Sequence, residues 1–73
     1  MSITFAVRGP HIQLDQLLKA ANLVTSGGAA HLAVEAGAVR VDGRIETRKR
    51  AKLRPGQRVA FEGEEILLVG ADG

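Results

Sequence analysis

Positively charged side chains crowd one stretch of this 73-residue chain, residues 38–58. Eight cations and two carboxylates in that stretch give a formal charge of +6, whereas two cations and six carboxylates elsewhere give −4. The cations of the stretch are Arg40, Arg44, Arg48, Lys49, Arg50, Lys52, Arg54 and Arg58. Holding like charges together costs folding free energy, so their clustering favours a binding site for a polyanion over a merely solvated surface.

Residues suited to enzymatic or metal chemistry are scarce. The chain has no cysteine, which removes thiol nucleophiles, thiolate zinc sites and disulfides. His11 and His31 are the only imidazoles, and neither has a second ligand at metal-binding spacing. No glycine-rich phosphate-binding loop follows a predicted strand. The sequence therefore predicts a protein that is not an enzyme and that uses no metal or other cofactor.

The two aromatic residues, Phe5 and Phe61, both fall at expected core positions. Readers of single-stranded nucleic acid stack bases on exposed aromatic rings, worth about 1–3 kcal/mol per base. This chain offers no such platform, so the phosphate backbone of a folded nucleic acid is the better fit. Major-groove reading by a helix-turn-helix is the nearest alternative. Its recognition helix would begin with residues 26–30, which have almost no side chains that could read a base. RNA backbone is therefore the preferred partner.

A short strand and two helices are expected before the cation cluster. Apolar residues alternate between residues 3 and 7, which predicts a short strand. Leucines at helical spacing then predict an amphipathic helix over about residues 12–23. A second helix is expected to begin at an N-cap, Thr25 or Ser26, and to end at Gly37.

The Asp42-Gly43 pair predicts a β-hairpin in front of the main group of cations. Because Arg40, Arg44 and Arg48 alternate with apolar positions, we expect their side chains to share the outer face of this hairpin. The hairpin would then present one positively charged surface.

Further strands are expected around residues 59–61 and 66–69, after a Pro55-Gly56 turn. The predicted order is thus β-α-α-β-β-β-β. Helices followed by a run of strands indicate an α+β fold, with the helices on one face of a small, mainly antiparallel sheet. A chain of this length has room for one domain, residues 1–73.

Three spaced motifs are Leu-Asp-x-x-Leu at 14–18, Ser-x-x-x-Ala at 26–30 and Gly-x-Val-x-Val-Asp-Gly at 37–43. Together with the basic residues and the Pro-Gly turn that follow, they resemble the alpha-L RNA-binding domain, named after ribosomal small-subunit protein four. The resemblance covers residues 13–59, and the glycine-valine motif is its most specific part. The Glu-Thr-Arg-Lys-Arg run at 46–50 and the small size are similar to the free-standing, bacterial YbcJ-like branch.

This resemblance implies two helices packed in an L with the hairpin beside them. It implies that the backbone of structured RNA binds along the second helix and the hairpin, with ribosomal RNA as the first candidate. The residues that it implies for RNA contact are Ser26, His31, Arg40, Arg44, Arg48, Lys49, Arg50 and Lys52. Gln13 and Gly27 replace arginines that many members carry, so more of the binding is expected from the hairpin cations.

Two other functions remain open at this point. Leu32 stands where many relatives carry a charged residue, and we expect it either to cover the N-terminal strand or to contact a partner, as in a protein-interaction module. The chain could also be a targeting subunit that acts in trans for an RNA-modifying enzyme. The sequence has no signal peptide and no membrane-spanning stretch, so we expect a cytoplasmic protein. We also expect the protein to be a monomer.

Overall fold

The computed structural model describes residues 2–71, which form seven strands and two short helices. In chain order these are β1 (Ser2–Val7), β2 (Ile12–Gln13), α1 (Leu14–Ala20), α2 (Gly27–Glu35), β3 (Val39–Val41), β4 (Arg44–Ile45), β5 (Lys52–Leu53), β6 (Arg58–Phe61) and β7 (Glu64–Gly70). The α+β class is confirmed. The two-residue strands β2 and β5 are additions to the predicted order, and they pair with each other outside the main sheet.

The main sheet has five strands in the order β1-β7-β6-β3-β4. The first and last strands of the chain, β1 and β7, run parallel, and the other three neighbouring pairs are antiparallel. The prediction of a mainly antiparallel sheet is therefore confirmed. Parallel strands such as β1 and β7 need a crossover connection. The two helices lie between β1 and β3 in the chain, and they begin this connection across one face of the sheet.

Two tight hairpins of the same geometry connect antiparallel strands. Asp42-Gly43 joins β3 to β4 with φ angles of 52° and 84°, and Glu62-Gly63 joins β6 to β7 with φ angles of 51° and 79°. Positive φ at both turn residues is the type I′ geometry, whose twist matches that of the flanking strands. The predicted turn at Asp42-Gly43 is confirmed, and Glu62-Gly63 is a second turn of this kind.

Helix α1 is shorter than the predicted span of residues 12–23. It begins only at Leu14, because Ile12 and Gln13 pair as a strand with β5. It ends at Ala20, two residues before Asn22 adopts a φ of 60°. The helix was predicted correctly, but both of its ends were wrong. A local pattern does not reveal the competing strand that takes Ile12 and Gln13 at the start, and at the other end the chain leaves the helical conformation by Asn22.

The ends of the second helical segment follow the predicted capping chemistry. The Ser26 hydroxyl accepts a hydrogen bond from the backbone amide of Ala29 at 3.1 Å, which is the N-cap contact. Gly37, with a φ of 74°, turns the chain after α2 and leads it into β3.

The hydrophobic core lies between the helices and one face of the main sheet. Its buried members are Val7, Leu14, Leu17, Leu18, Ala30, Val34, Val39, Ala51, Leu53, Val59, Phe61, Ile66 and Leu68. Among residues 2–71 no polar or charged residue is fully buried, so the groups that could do chemistry lie at the surface. This described part of the chain contains no helix that could span a membrane.

Candidate nucleic-acid interface

Residues 47–52, which we call the basic segment, run beside the start of α1. The backbone amides of Leu14 and Asp15 donate hydrogen bonds to the carbonyl oxygens of Ala51 and Lys49, at 2.9 and 3.0 Å. Amides in the first turn of a helix lack acceptors inside the helix. These two hydrogen bonds supply the missing acceptors, and they also hold the basic segment in place. The backbone of the basic segment is thereby fixed, and its side chains remain available for binding.

Side chains alternate between inside and outside along the end of the basic segment. Ala51 and Leu53 are buried in the core, whereas Arg50 and Lys52 are exposed. Neighbouring side chains of an extended chain point in opposite directions, so burial of the apolar pair directs the two cations to solvent. Together with Arg48 and Ala51 they line a shallow hollow of about 430 Å³.

One cation of the segment has a carboxylate partner. The Arg48 Nη2 atom lies 3.2 Å from Glu46 Oε1, and the Nε and backbone N–H of Arg48 donate to Glu46 Oε2. These hydrogen bonds hold the pKa of Glu46 below its usual range and raise the pKa of Arg48. The Arg48 side chain is 79% exposed, and exposed pairs of this kind contribute little to stability. A phosphate group can therefore compete with Glu46 for this guanidinium.

The other cations of the basic segment have no such partner. Lys49, Arg50 and Lys52 form no ion pair with any carboxylate in residues 2–71. The structure therefore brings four of the predicted contact residues together, and three of these carry uncompensated charge.

Arg40 and Arg44 lie on opposite faces of the hairpin. The two-residue turn pairs Val41 with Arg44 and Arg40 with Ile45, and directly opposed residues of an antiparallel pair share a face. Arg40 is thus on the sheet face away from the helices, and Arg44 is on the other. The prediction that Arg40, Arg44 and Arg48 share one outer face is wrong, because the turn length sets the pairing and hence the face of every residue.

The two predicted contacts near α2 already have partners within the protein. Ser26 caps the helix through its hydroxyl, and the His31 Nε2 atom lies 3.0 Å from Asp15 Oδ2. The second contact joins the two helices. In the sequence Asp15 was only part of the Leu-Asp-x-x-Leu motif, and nothing in that motif points to a partner sixteen residues away.

A carboxylate from the end of α2 lies next to the basic segment. Glu35 lines a solvent-open hollow of about 580 Å³ together with Thr47, Arg48, Lys49 and Arg50. It is exposed, and no Lys or Arg nitrogen of residues 2–71 lies within 4.0 Å of its carboxylate. The sequence did not point to Glu35, because only the chain reversal at the hairpin returns residues 47–50 to the end of the helix.

Among residues 2–71 no three His, Asp or Glu side chains are grouped so that they could hold a metal ion. His11 lines a separate hollow of about 310 Å³ beside Phe5 and Arg8. His31 is bonded to Asp15.

Leu32 projects from α2 into solvent and is 69% exposed. The suggestion that it covers the N-terminal strand is therefore wrong, and contact with a partner remains a prediction for this residue. Ile45 of the hairpin is the other large apolar side chain that the described structure exposes.

Comparison with known proteins identifies the family. The model of the S4 domain family matches residues 5–69, which is most of the chain. This chain belongs to the S4 domain family. The predicted resemblance is thereby confirmed. Individual relatives show which branch of the family this chain represents.

Two curated bacterial relatives of this S4 domain are both named YbcJ. YbcJ of Escherichia coli (strain K12), provisionally named as an RNA-binding protein, is 43% identical over 67 residues, covering 90% of this chain and 96% of YbcJ. The YbcJ protein of Shigella flexneri matches with the same identity and coverage. The solution structure of E. coli YbcJ superposes with a TM-score of 0.68 and 39% identity over 94% of this chain and 86% of that one.

The solution structure of E. coli YbcJ contains an alpha-L motif that is described as involved in RNA binding. The match confirms the expected alpha-L arrangement of the helices on the sheet in this S4 domain. This chain is therefore a YbcJ-like S4 domain.

Proposed function

We propose that this S4 domain binds the phosphate backbone of structured RNA through the basic segment. One observation carries the proposal: the backbone of the segment is bonded to α1, while Lys49, Arg50 and Lys52 lack carboxylate partners in residues 2–71. Cations held in place without partners can neutralise phosphates and release the counterions condensed on RNA. The RNA-binding role ascribed to YbcJ supports the same conclusion.

The predicted contact residues are expected to contribute unequally. Arg48 joins the three unpaired cations by exchanging Glu46 for a phosphate. We expect Arg44, on the helix side of the hairpin, and Ser26 and His31 of α2 to add contacts of their own. Arg40 points away from it, so we expect Arg40 to contribute least to the affinity.

The proposal includes several finer points. The domain acts as a cytoplasmic monomer without catalytic activity, and folded ribosomal RNA is its first candidate target. Where RNA chemistry is involved, the domain would serve as a targeting subunit in trans for a modifying enzyme.

A protein partner is the second candidate function, and the exposure of Leu32 favours it. A large apolar side chain on the solvent side of a helix suits a small contact with another protein. RNA binding is preferred because a group of neighbouring, unpaired cations is a stronger signal than one exposed leucine.

The test removes two positive charges from the basic segment. Lys49→Gln with Arg50→Gln should weaken binding to a structured RNA hairpin, because two phosphate contacts are lost. The slope of log affinity against log salt should become shallower by roughly 1.4 to 1.8, at about 0.7–0.9 per contact. Fluorescence anisotropy across a salt series measures both quantities.

A matched control removes the same charge elsewhere. Arg8 and Lys19 are exposed and lie outside residues 38–58, so Arg8→Gln with Lys19→Gln should leave the slope almost unchanged. Equal losses in the two double variants would show that net charge alone drives binding, and the basic segment would not be the site.

A further inference from the structure

The hollow at the end of α2 contains chemistry that a phosphate site alone does not need. The residues that line it combine Arg48, Lys49 and Arg50, whose side chains are hydrogen-bond donors, with Glu35, whose carboxylate is an acceptor. A carboxylate repels phosphate, so Glu35 should weaken a site that binds only the RNA backbone. Glu35 also forms no ion pair with these cations in residues 2–71.

A nucleobase, unlike a phosphate, presents both donors and acceptors. A carboxylate accepts two hydrogen bonds side by side, and among the four standard bases only guanine has two adjacent donors, N1–H and the N2 amino group, on its Watson–Crick edge. On its other edge guanine presents the O6 and N7 acceptors, which arginine and lysine favour. The mixture of one carboxylate with three cations therefore matches guanine better than any other base.

We propose that this hollow receives one unpaired guanine of the bound RNA and that Glu35 is the residue that selects it. The inference rests on the proposed function, because the basic segment must first dock on the RNA backbone. Bases that are unpaired in loops and bulges are the ones that proteins read by hydrogen bonding in RNA. Arg48 and Arg50 also line the hollow, and arginine can replace an aromatic ring as a stacking surface for a base.

The test uses four synthetic RNA hairpins that differ only in one bulged nucleotide, which is G, A, C or U. Wild-type protein should bind the guanine hairpin about tenfold more tightly than the others, within the range for a bidentate contact. Glu35→Gln replaces one acceptor by a donor, so its preference should shrink to about twofold or less. Inosine at the bulge, which lacks the N2 amino group, should lose part of the preference with wild type only.

Glu62→Gln is the matched control, since it removes the same charge from an exposed turn that does not line the hollow. It should leave the guanine preference intact. Glu35 is exposed on a helix and forms no hydrogen bond or ion pair that its replacement would break in residues 2–71, so the variant should fold.

Other outcomes would separate the two proposals. If Glu35→Gln raises the affinity for all four hairpins equally, the carboxylate only repels phosphate and the guanine inference fails. Equal binding of all four hairpins by the wild type would overturn the same inference and leave RNA binding standing. Absence of binding to every hairpin at low salt would overturn the proposed function itself.

Discussion

Asp42 shows how one side chain joins two loops of the fold. Its Oδ1 atom accepts a hydrogen bond from the backbone N–H of Arg58 at 3.0 Å, and its Oδ2 atom accepts one from the Gln57 side chain at 3.2 Å. The Arg58 bond is the main reason that the pKa of Asp42 lies below its ordinary value of 3.8, and the Gln57 bond adds to it. The same residue has a φ of 52° in the hairpin turn. Asp42 thus joins the β3–β4 hairpin to the start of β6.

Asp42→Asn should lower the melting temperature at neutral pH and make no such difference in acid. A carboxyl group with a lowered pKa in the folded state stabilises the fold above its ordinary pKa, and this contribution is lost as the pH falls through the lowered value. The asparagine keeps the turn, because it tolerates positive φ, but it presents a donor to the Gln57 amide. The difference in melting temperature between wild type and variant should therefore be constant from pH 7 to about 5 and shrink below about 4.

Thermal denaturation followed by circular dichroism from pH 7 to 3 measures this difference. A difference that stays the same over the whole range would show that the charge of Asp42 plays no part in stability.

At the scale of elements, the pair of helices depends on tertiary contacts. The two helices span seven and nine residues, and helices shorter than about 12 residues are marginal in isolation. The buried leucines of α1, Ala30 and Val34 of α2 and the Asp15–His31 hydrogen bond hold the helices together. The start of α1 also holds the basic segment. The angle between the helices and the position of the cations are therefore set by one connected group of contacts.

A double-mutant cycle with Asp15→Ala and His31→Ala measures the bond between the helices. We expect a coupling free energy of about 1 kcal/mol, the usual net value for a partly buried hydrogen bond. Asp15 also accepts a hydrogen bond from the Gln16 amide, so Asp15→Ala alone should destabilise the fold more than His31→Ala. Urea denaturation of the four proteins provides the free energies. Purely additive effects would mean that the contact does not join the helices in solution.

At the scale of the whole molecule, charge is strongly separated. Residues 38–58 carry a formal +6 and the rest −4. In residues 2–71 a single ion pair, Arg58 with Glu65 at 3.7 Å, connects the two groups. Attraction between them therefore compensates little of the repulsion within the cation cluster. We infer that the domain gives up stability to keep its binding surface charged.

Moderate salt should consequently stabilise the free protein while it weakens RNA binding. Raising the ionic strength from about 0.01 M to 0.15 M shortens the Debye length from about 30 Å to 8 Å, which screens the repulsion among the cations. The melting temperature should rise over this range, and it should rise less in the Lys49→Gln, Arg50→Gln variant, which has less repulsion to screen. A melting temperature that falls with salt would show that attraction between the two charge groups dominates.

Much of the fold follows from local chemistry and was predictable. The Asp42-Gly43 turn, the Ser26 cap and the Gly37 helix end depend on the residues beside them, so the sequence pattern was sufficient. The start of α1 was not predictable in this way. Ile12 and Gln13 continue the helical spacing of the leucines that follow, but they pair with β5 as a strand. Because β5 lies far away in the chain, the local pattern could not reveal this pairing.

The candidate site likewise has one part that was predictable from the sequence and one part that was not. The positions of the charged and aromatic residues along the chain were enough to predict a cluster of cations without exposed aromatic rings. Residue types do not depend on folding. Strand register decided that Arg40 and Arg44 face opposite ways, and the return of the chain beside α2 decided that Glu35 joins Arg48, Lys49 and Arg50. The position of Glu35 arises from pairing between distant segments, which no local pattern encodes. The opposite faces of Arg40 and Arg44 follow instead from the two-residue turn between them, because turn length sets the register of a hairpin.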